Sequence, residues 1–184
     1  DLRLVSGHDN SGGSNAIIDE GTLTVGRDLY ATTDDGNGII NLGGLTVTGT
    51  ISLATNDDDN DDSATATVVN STGLNFITAK VGGDFSATAT NGAITQDAAF
   101  DIDGTTNVYS ATEDNIILSK AGNDFSGAVW FRGGGVFIKD KNNIDFGTSN
   151  STATITWMRE TFTTRKLPVN SNGTSSAFPW VGPL

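Results

Sequence analysis

The chain has 184 residues and a formal net charge of −12, which argues against nucleic acid as a partner. It contains no cysteine, which excludes disulfides and thiolate chemistry, and no apolar run approaches the roughly 20 residues needed to span a bilayer. Six of its ten basic residues follow Phe131, so the sequence predicts an acidic body with a mildly basic end.

The first predicted element is a strand over residues 1–6, where apolar and polar residues alternate. Further on, two segments repeat. Residues 25–32 (VGRDLYAT) return as residues 81–88 (VGGDFSAT), and residues 44–50 (GLTVTGT) return as residues 99–105 (AFDIDGT). The offsets are 56 and 55 residues, and repetition at this length indicates an array of stacked units.

Alternation with a period of two continues through most of the chain, and it is typical of strands with one buried face. The short predicted strands are separated by turn pairs such as Asn91-Gly92 and Asp103-Gly104. Proline occurs only in the last 17 residues. Because proline cannot donate to a sheet ladder, its absence from residues 1–167 fits a continuous sheet.

These features predict an all-β fold, namely a parallel β-solenoid (right-handed β-helix) with an extended, proline-containing C-terminal tail. The predicted solenoid domain covers residues 1–158, and each long repeat covers two or three coils. The predicted tail covers residues 159–184 and docks on its own or a neighbouring subunit. A β-sandwich or jelly roll would also give short strands and turns, and it is the alternative fold.

Two stretches carry a resemblance to a known family: residues 81–96 (VGGDFSATATNGAITQ) and residues 121–129 (AGNDFSGAV). They resemble the β-strand repeats of filamentous-haemagglutinin-like exoproteins, which are large bacterial surface adhesins. The resemblance covers roughly residues 21–157. It implies a right-handed parallel β-helix that folds outside the cell and serves mainly as a stalk.

An acidic run at residues 56–62 (NDDDNDD) is the sharpest local feature. Asp57, Asp59 and Asp61 alternate, as in loops whose oxygens converge on Ca²⁺, but the run lacks the glycine and the bidentate glutamate of a full calcium loop. Two interpretations stay open: a solvated acidic loop, or a Ca²⁺ site that relieves the repulsion between carboxylates. Ca²⁺ is the one cofactor that the sequence suggests.

Other chemical candidates are weaker. Asp101 and Asp103 share one strand face, about 7 Å apart by strand geometry, like the acid and base of polysaccharide-cleaving β-helices. Their counterparts in the first repeat are Thr46 and Thr48, so ordinary solvent-facing positions explain them as well. His8 is the only histidine and has no partner for metal binding or nucleophilic catalysis, so the sequence assigns no catalytic residue.

The aromatic residues suggest contacts. Neighbours on a strand cannot both point inward, so one of Trp130 and Phe131 is exposed or covered by the tail. In the tail, Phe178, Pro179 and Trp180 are candidates to do the covering or to dock on another molecule. Inside the solenoid, the repeat predicts one interior ladder, formed by residues that occupy matching positions: Leu45, Val47, Phe100 and Ile102.

The sequence therefore predicts a non-catalytic, extracellular structural subunit of a self-assembling cell-surface fibre or adhesin. Head-to-tail stacking makes a homo-polymer, with Leu2, Leu4, Phe178, Pro179 and Trp180 as assembly residues. A cell-surface or carbohydrate receptor is the further partner class, without nucleic acid and without a membrane span. The alternative function is a β-helical polysaccharide hydrolase or lyase.

Overall fold

A computed structural model describes residues 1–7, 15–33, 38–55, 63–147 and 154–155. In this part of the chain every paired strand runs parallel to its neighbours. The strands, in chain order, are β1 (Leu2–Ser6), β2 (Ala16–Ile18), β3 (Leu23–Val25), β4 (Leu29–Thr33), β5 (Ile39–Val47), β6 (Ile51–Ala54), β7 (Ala66–Asn70), β8 (Leu74–Val81), β9 (Phe85–Ala89), β10 (Ile94–Gln96), β11 (Asp101–Ile102), β12 (Thr106–Ser110), β13 (Ile116–Leu118), β14 (Asp124–Phe125), β15 (Val129–Arg132), β16 (Gly135–Ile138) and β17 (Thr154–Ile155).

Within the described residues these strands form two sheets. The front sheet has ten strands, ordered β1-β4-β6-β8-β10-β13-β16-β17, with β11 pairing both β8 and β14. The back sheet has seven strands, ordered β15-β12-β9-β7-β5-β2, with β3 also pairing β5. Because strands from the two sheets alternate along the chain, each turn of the chain adds one layer to both sheets.

The molecule is thus a right-handed parallel β-solenoid, and the predicted fold class is confirmed. One coil takes about 22 residues: Leu29 pairs with Ile51, and Ile94 pairs with Ile116. The described residues contain no helix long and apolar enough to cross a membrane. The predicted domain boundary at residue 158 and the tail over residues 159–184 lie outside the described residues.

The core fills the space between the two sheets. Alternation turns every second side chain inward, as in the buried–intermediate–buried pattern of β9 and β10. Four phenylalanines form an edge-to-face cluster near the middle of the solenoid. Phe100 lies 5.5 Å from Phe76, 5.8 Å from Phe85 and 6.5 Å from Phe125, measured between ring centroids. This cluster links both sheets across several coils.

The predicted single ladder of Leu45, Val47, Phe100 and Ile102 is wrong, although all four residues are buried. Leu45 stacks between Leu23 and Asn70 in the back sheet. Ile102 instead stacks between Val81 and Phe125 in the front sheet. The physical reason is coil length: an offset of 55 residues is about two and a half coils, which places the two repeats on opposite sides of the solenoid.

Candidate assembly end of the solenoid

The end of the solenoid that contains Asp1 is formed by three edge strands. Among the described residues, β1 pairs only with β4, and β2 and β3 pair only with β5. The predicted strand over residues 1–6 is therefore confirmed as β1. Leu2, Leu4 and Leu23 pack against the core from these strands but stay only partly buried, and no strand among the described residues lies beyond β1, β2 and β3.

A groove of about 510 Å³ opens at this end, between β1 on one side and β2 and β3 on the other. Its apolar lining comes from both sheets and from the coil beneath: Leu4, Val5, Ile17, Ile18, Leu23 and Leu42. Val5 is 47% exposed and Ile18 is 55% exposed, which makes them two of the most exposed large apolar side chains among the described residues. The groove thus lies between the two sheets and has a partly apolar lining.

On one side, the backbone of β1 has no partner strand among the described residues. The Leu2 N–H donates to the Asp28 carbonyl at 2.8 Å, so Leu2 directs its backbone groups toward β4. Alternate residues of a strand direct these groups to opposite sides, which turns those of Arg3 and Val5 toward the open edge. An edge of this kind is a template for another parallel strand.

Asp1 ties the first coil to the second. Its carboxylate accepts hydrogen bonds from the Arg27 guanidinium, at 2.9 Å to each oxygen, and lies 3.4 Å from the Asp28 N–H. Asp28 joins the second coil to the third in a similar way. One of its carboxylate oxygens accepts both the N–H and the hydroxyl of Thr50, at 2.8 Å and 2.7 Å. Each carboxylate thus accepts a backbone donor from the next coil.

This carboxylate clamp recurs at other corners. Asp84 accepts the N–H and the hydroxyl of Thr105, both at 2.7 Å. Asp19 accepts the N–H groups of Gly43 and Gly44, both at 2.7 Å. The repeated sequence Val-Gly-x-Asp therefore encodes a corner: it precedes the front-sheet strand β4 at Asp28 and the back-sheet strand β9 at Asp84.

The clamp favours the charged form of the aspartate. The backbone hydrogen bond from Thr50, followed by the bond from its hydroxyl, lowers the pKa of Asp28 below the usual value of 3.8. At neutral pH the carboxylate is fully charged and makes its bonds to the next coil.

Asp101 and Asp103, the predicted carboxylate pair, are both exposed in the structure. In the sheet, Asp101 lies between Lys80 of one coil and Asp124 of the next. Asp124 in turn forms a salt bridge with Lys141, a bond that raises the pKa of the lysine. The structure therefore places Asp101 in a column of charged side chains of the front sheet, with a lysine on one side and an aspartate on the other.

Asp140 lies beside this column, and its pKa is shifted in the opposite direction to that of Asp28. Burial raises the pKa of its carboxyl above the usual 3.8, partly offset by the Phe125 N–H, which donates to it at 3.3 Å. The described residues contain no group of three or more histidine, cysteine, aspartate or glutamate side chains arranged to hold a metal ion.

Several predicted site residues lie outside the described residues. They include the calcium candidates of the acidic run, the lone histidine and the assembly residues of the tail: Asp57, Asp59, Asp61, His8, Phe178, Pro179 and Trp180. The calcium and tail contacts stay predictions. Phe131 is 4% exposed and Trp130 is half-buried on the outer face, so the two neighbours face opposite ways as predicted, while the predicted cover by the tail lies outside the described residues.

Sequence reasoning missed two buried amide networks. Asn70 accepts the Val47 N–H and donates to the carbonyls of Val47 and Gly73. Asn123 and Gln96 pair their side-chain amides at 2.8 Å and 2.9 Å, and Asn123 also accepts the Phe100 N–H. Both amides satisfy backbone groups that a corner would leave without partners. Only the spatial register of the coils would have singled them out in a chain so rich in Asn.

Comparison with known proteins identifies a repeat. A family model described as repeats of unknown function (DUF5649) matches residues 62–131. The matched segment runs from just before β7 to β15, and it contains the second Val-Gly-x-Asp corner and the phenylalanine cluster. No curated protein and no solved structure matches the chain.

Proposed function

We propose that this protein is a structural subunit that assembles end to end into an extracellular fibre or adhesin stalk. The observation that carries the proposal is the open end described above. It combines a strand with backbone groups directed outward and a groove whose apolar lining is incomplete. A further coil would cover Leu2, Leu4 and Leu23 and add another layer to both sheets.

The chemistry of the coil interfaces supports the same proposal. The coil interfaces join parallel backbones and buried apolar columns, and at several of them an aspartate accepts a backbone N–H of the next coil. At the other end of the described part, Ile138, Ile144 and Phe146 pack against the core and are also partly exposed. Contact between these unlike ends is heterologous, and a heterologous contact that does not close makes a fibre.

The extracellular location rests on the sequence resemblance to filamentous-haemagglutinin-like repeats and on the stalk-like architecture. An array of coils extends in one direction and presents two flat faces along its length, which suits a surface fibre.

Blocking the open edge tests the assembly. Val5→Pro removes one N–H that faces the open edge, without removing a bond to β4, since proline is tolerated on edge strands. Val5→Thr is the matched control, because it keeps the N–H and the branched shape. We expect large assemblies of the wild type and of Val5→Thr in sedimentation velocity, and monomers of Val5→Pro with an unchanged circular dichroism spectrum.

Two outcomes would contradict end-to-end assembly through β1. If folded Val5→Pro assembles as readily as Val5→Thr, the edge of β1 is not the contact surface. A wild-type chain that stays monomeric at every concentration would also contradict the proposal.

A further inference from the structure

The outer face of the back sheet carries no acidic side chain on three neighbouring strands. Strands β9, β12 and β15 are paired in register, which aligns their outward side chains in two columns. One column contains Ser86, Asn107 and Trp130, and the other contains Thr88, Tyr109 and Arg132. None of these residues is acidic, although the chain has a net charge of −12. We refer to these six residues as the aromatic face.

Several acidic side chains lie at the corners of the coils or in the front sheet. Asp19, Asp28 and Asp84 occupy corners, where they clamp backbone N–H groups of the next coil. Asp101 and Asp124 lie on the paired strands β11 and β14 of the front sheet. On β9, β12 and β15 the outward side chains carry hydroxyl, amide, aromatic and guanidinium groups.

Trp130 and Tyr109 give the aromatic face two rings. The indole of Trp130 lies directly against the backbone of Gly147 in the following coil, at a position where any Cβ would collide with the ring. Glycine thus fixes the indole, which stays half-buried with part of its surface in solvent. A ring held in this way can receive a flat apolar partner at little cost in side-chain entropy.

Arg132 supplies the charge. Its guanidinium carbon lies 5.2 Å from the centre of the Tyr109 ring, a cation–π contact that orients the planar group. Within the described residues no carboxylate lies within ion-pair distance of this exposed arginine. Its N–H donors are therefore oriented by the tyrosine and free to meet a carboxylate in a bidentate manner.

We propose that the aromatic face binds an acidic glycan that contains a uronate unit. A pyranose ring has an apolar C–H face that packs on an aromatic ring, and a rim of hydroxyls that suits Asn107 and the neighbouring Ser86. The uronate carboxylate pairs with Arg132. Three strands span about 10 Å, and the two columns are about 7 Å apart, which is the scale of a short oligosaccharide. This proposal does not depend on end-to-end assembly, because the surface belongs to a single subunit.

The test compares two short probes, a galacturonic acid trisaccharide and the matching neutral galactose trisaccharide. Short probes limit the long-range repulsion that a net charge of −12 exerts on a polyanion. Isothermal titration calorimetry on the full chain should show at least tenfold tighter binding of the uronate probe. Trp130→Ala should abolish that binding, and Arg132→Gln should remove the preference for uronate.

Because Trp130 packs on Gly147, its removal could also disturb the fold. Asn107→Asp avoids this problem: Asn107 is exposed, and the variant places a carboxylate on the aromatic face. We expect it to weaken uronate binding at least tenfold with an unchanged melting temperature. The matched controls are Phe137→Ala and Arg3→Gln, an exposed aromatic and an exposed arginine of the front sheet, and both should bind as the wild type does.

Three outcomes would overturn the proposal. They are equal binding of both probes, no binding of either probe, and a loss of binding in the front-sheet controls as large as in the variants of the aromatic face.

Discussion

Replacing Phe100 by alanine removes the centre of the core. Its side chain is 1% exposed and contacts three other phenylalanine rings at 5.5 to 6.5 Å between centroids. Truncating a buried phenylalanine costs about 3–5 kcal/mol, and each lost aromatic pair adds about 0.5–1.5 kcal/mol beyond area burial. Because Phe100 loses three pairs, we expect a value near the upper end, about 4–5 kcal/mol.

The measurement is urea unfolding followed by far-UV circular dichroism, for the wild type and the variant. Phe137→Ala is the matched control, because Phe137 is 40% exposed on the outer face, and we expect it to cost less than about 1 kcal/mol. If Phe100→Ala also costs less than about 1 kcal/mol, the aromatic cluster does not hold the coils together and the register of the sheets is wrong.

Three further predictions concern the polar groups. Asp28 has a lowered pKa, so its carboxylate stabilises the fold above about pH 4, and this contribution disappears as the pH falls through the folded-state pKa. Asp28→Asn should therefore lower the melting temperature at pH 7 but not at about pH 2. An equal fall in melting temperature at both pH values would contradict a stabilising role of the charged Asp28 carboxylate. Asn123→Ala removes the acceptor of the buried Phe100 N–H and both bonds between Asn123 and the Gln96 amide, so it should cost about 2–4 kcal/mol in urea unfolding, whereas a neutral effect would mean that water replaces the amide. Millimolar Ca²⁺ should raise the melting temperature if the acidic run holds the ion, and replacing Asp57, Asp59 and Asp61 by Asn should remove the rise; identical curves with Ca²⁺ and with EDTA would leave a solvated loop.

Much of the fold could be predicted from the sequence, because alternation and repetition are local signals. The segment VGRDLYAT and its copy VGGDFSAT do share one structure, a corner whose aspartate accepts the N–H and the hydroxyl of a threonine in the next coil. The position of each copy in the solenoid could not be predicted. It depends on the number of residues per coil, and the repeat alone does not give that number.

The same limit applies to sites. The strand β1 follows from the alternation of Leu2 and Leu4 with polar and exposed neighbours, whereas its position at the edge of the sheet depends on the topology. The aromatic face does not follow from such a pattern, because Asn107 and Trp130 are 23 residues apart and become neighbours only through the pairing of β12 with β15. Asn70 and Asn123 look like ordinary loop residues until the register shows which backbone groups they meet.

Electron microscopy of the purified chain in negative stain tests end-to-end assembly most directly. Stacking through the edge of β1 predicts unbranched filaments that are one solenoid wide and grow longer as the protein concentration rises. Val5→Pro should shorten these filaments to single particles, while Val5→Thr should leave them intact. Single particles of the wild type at every concentration, or filaments that form equally well from Val5→Pro, would contradict the account.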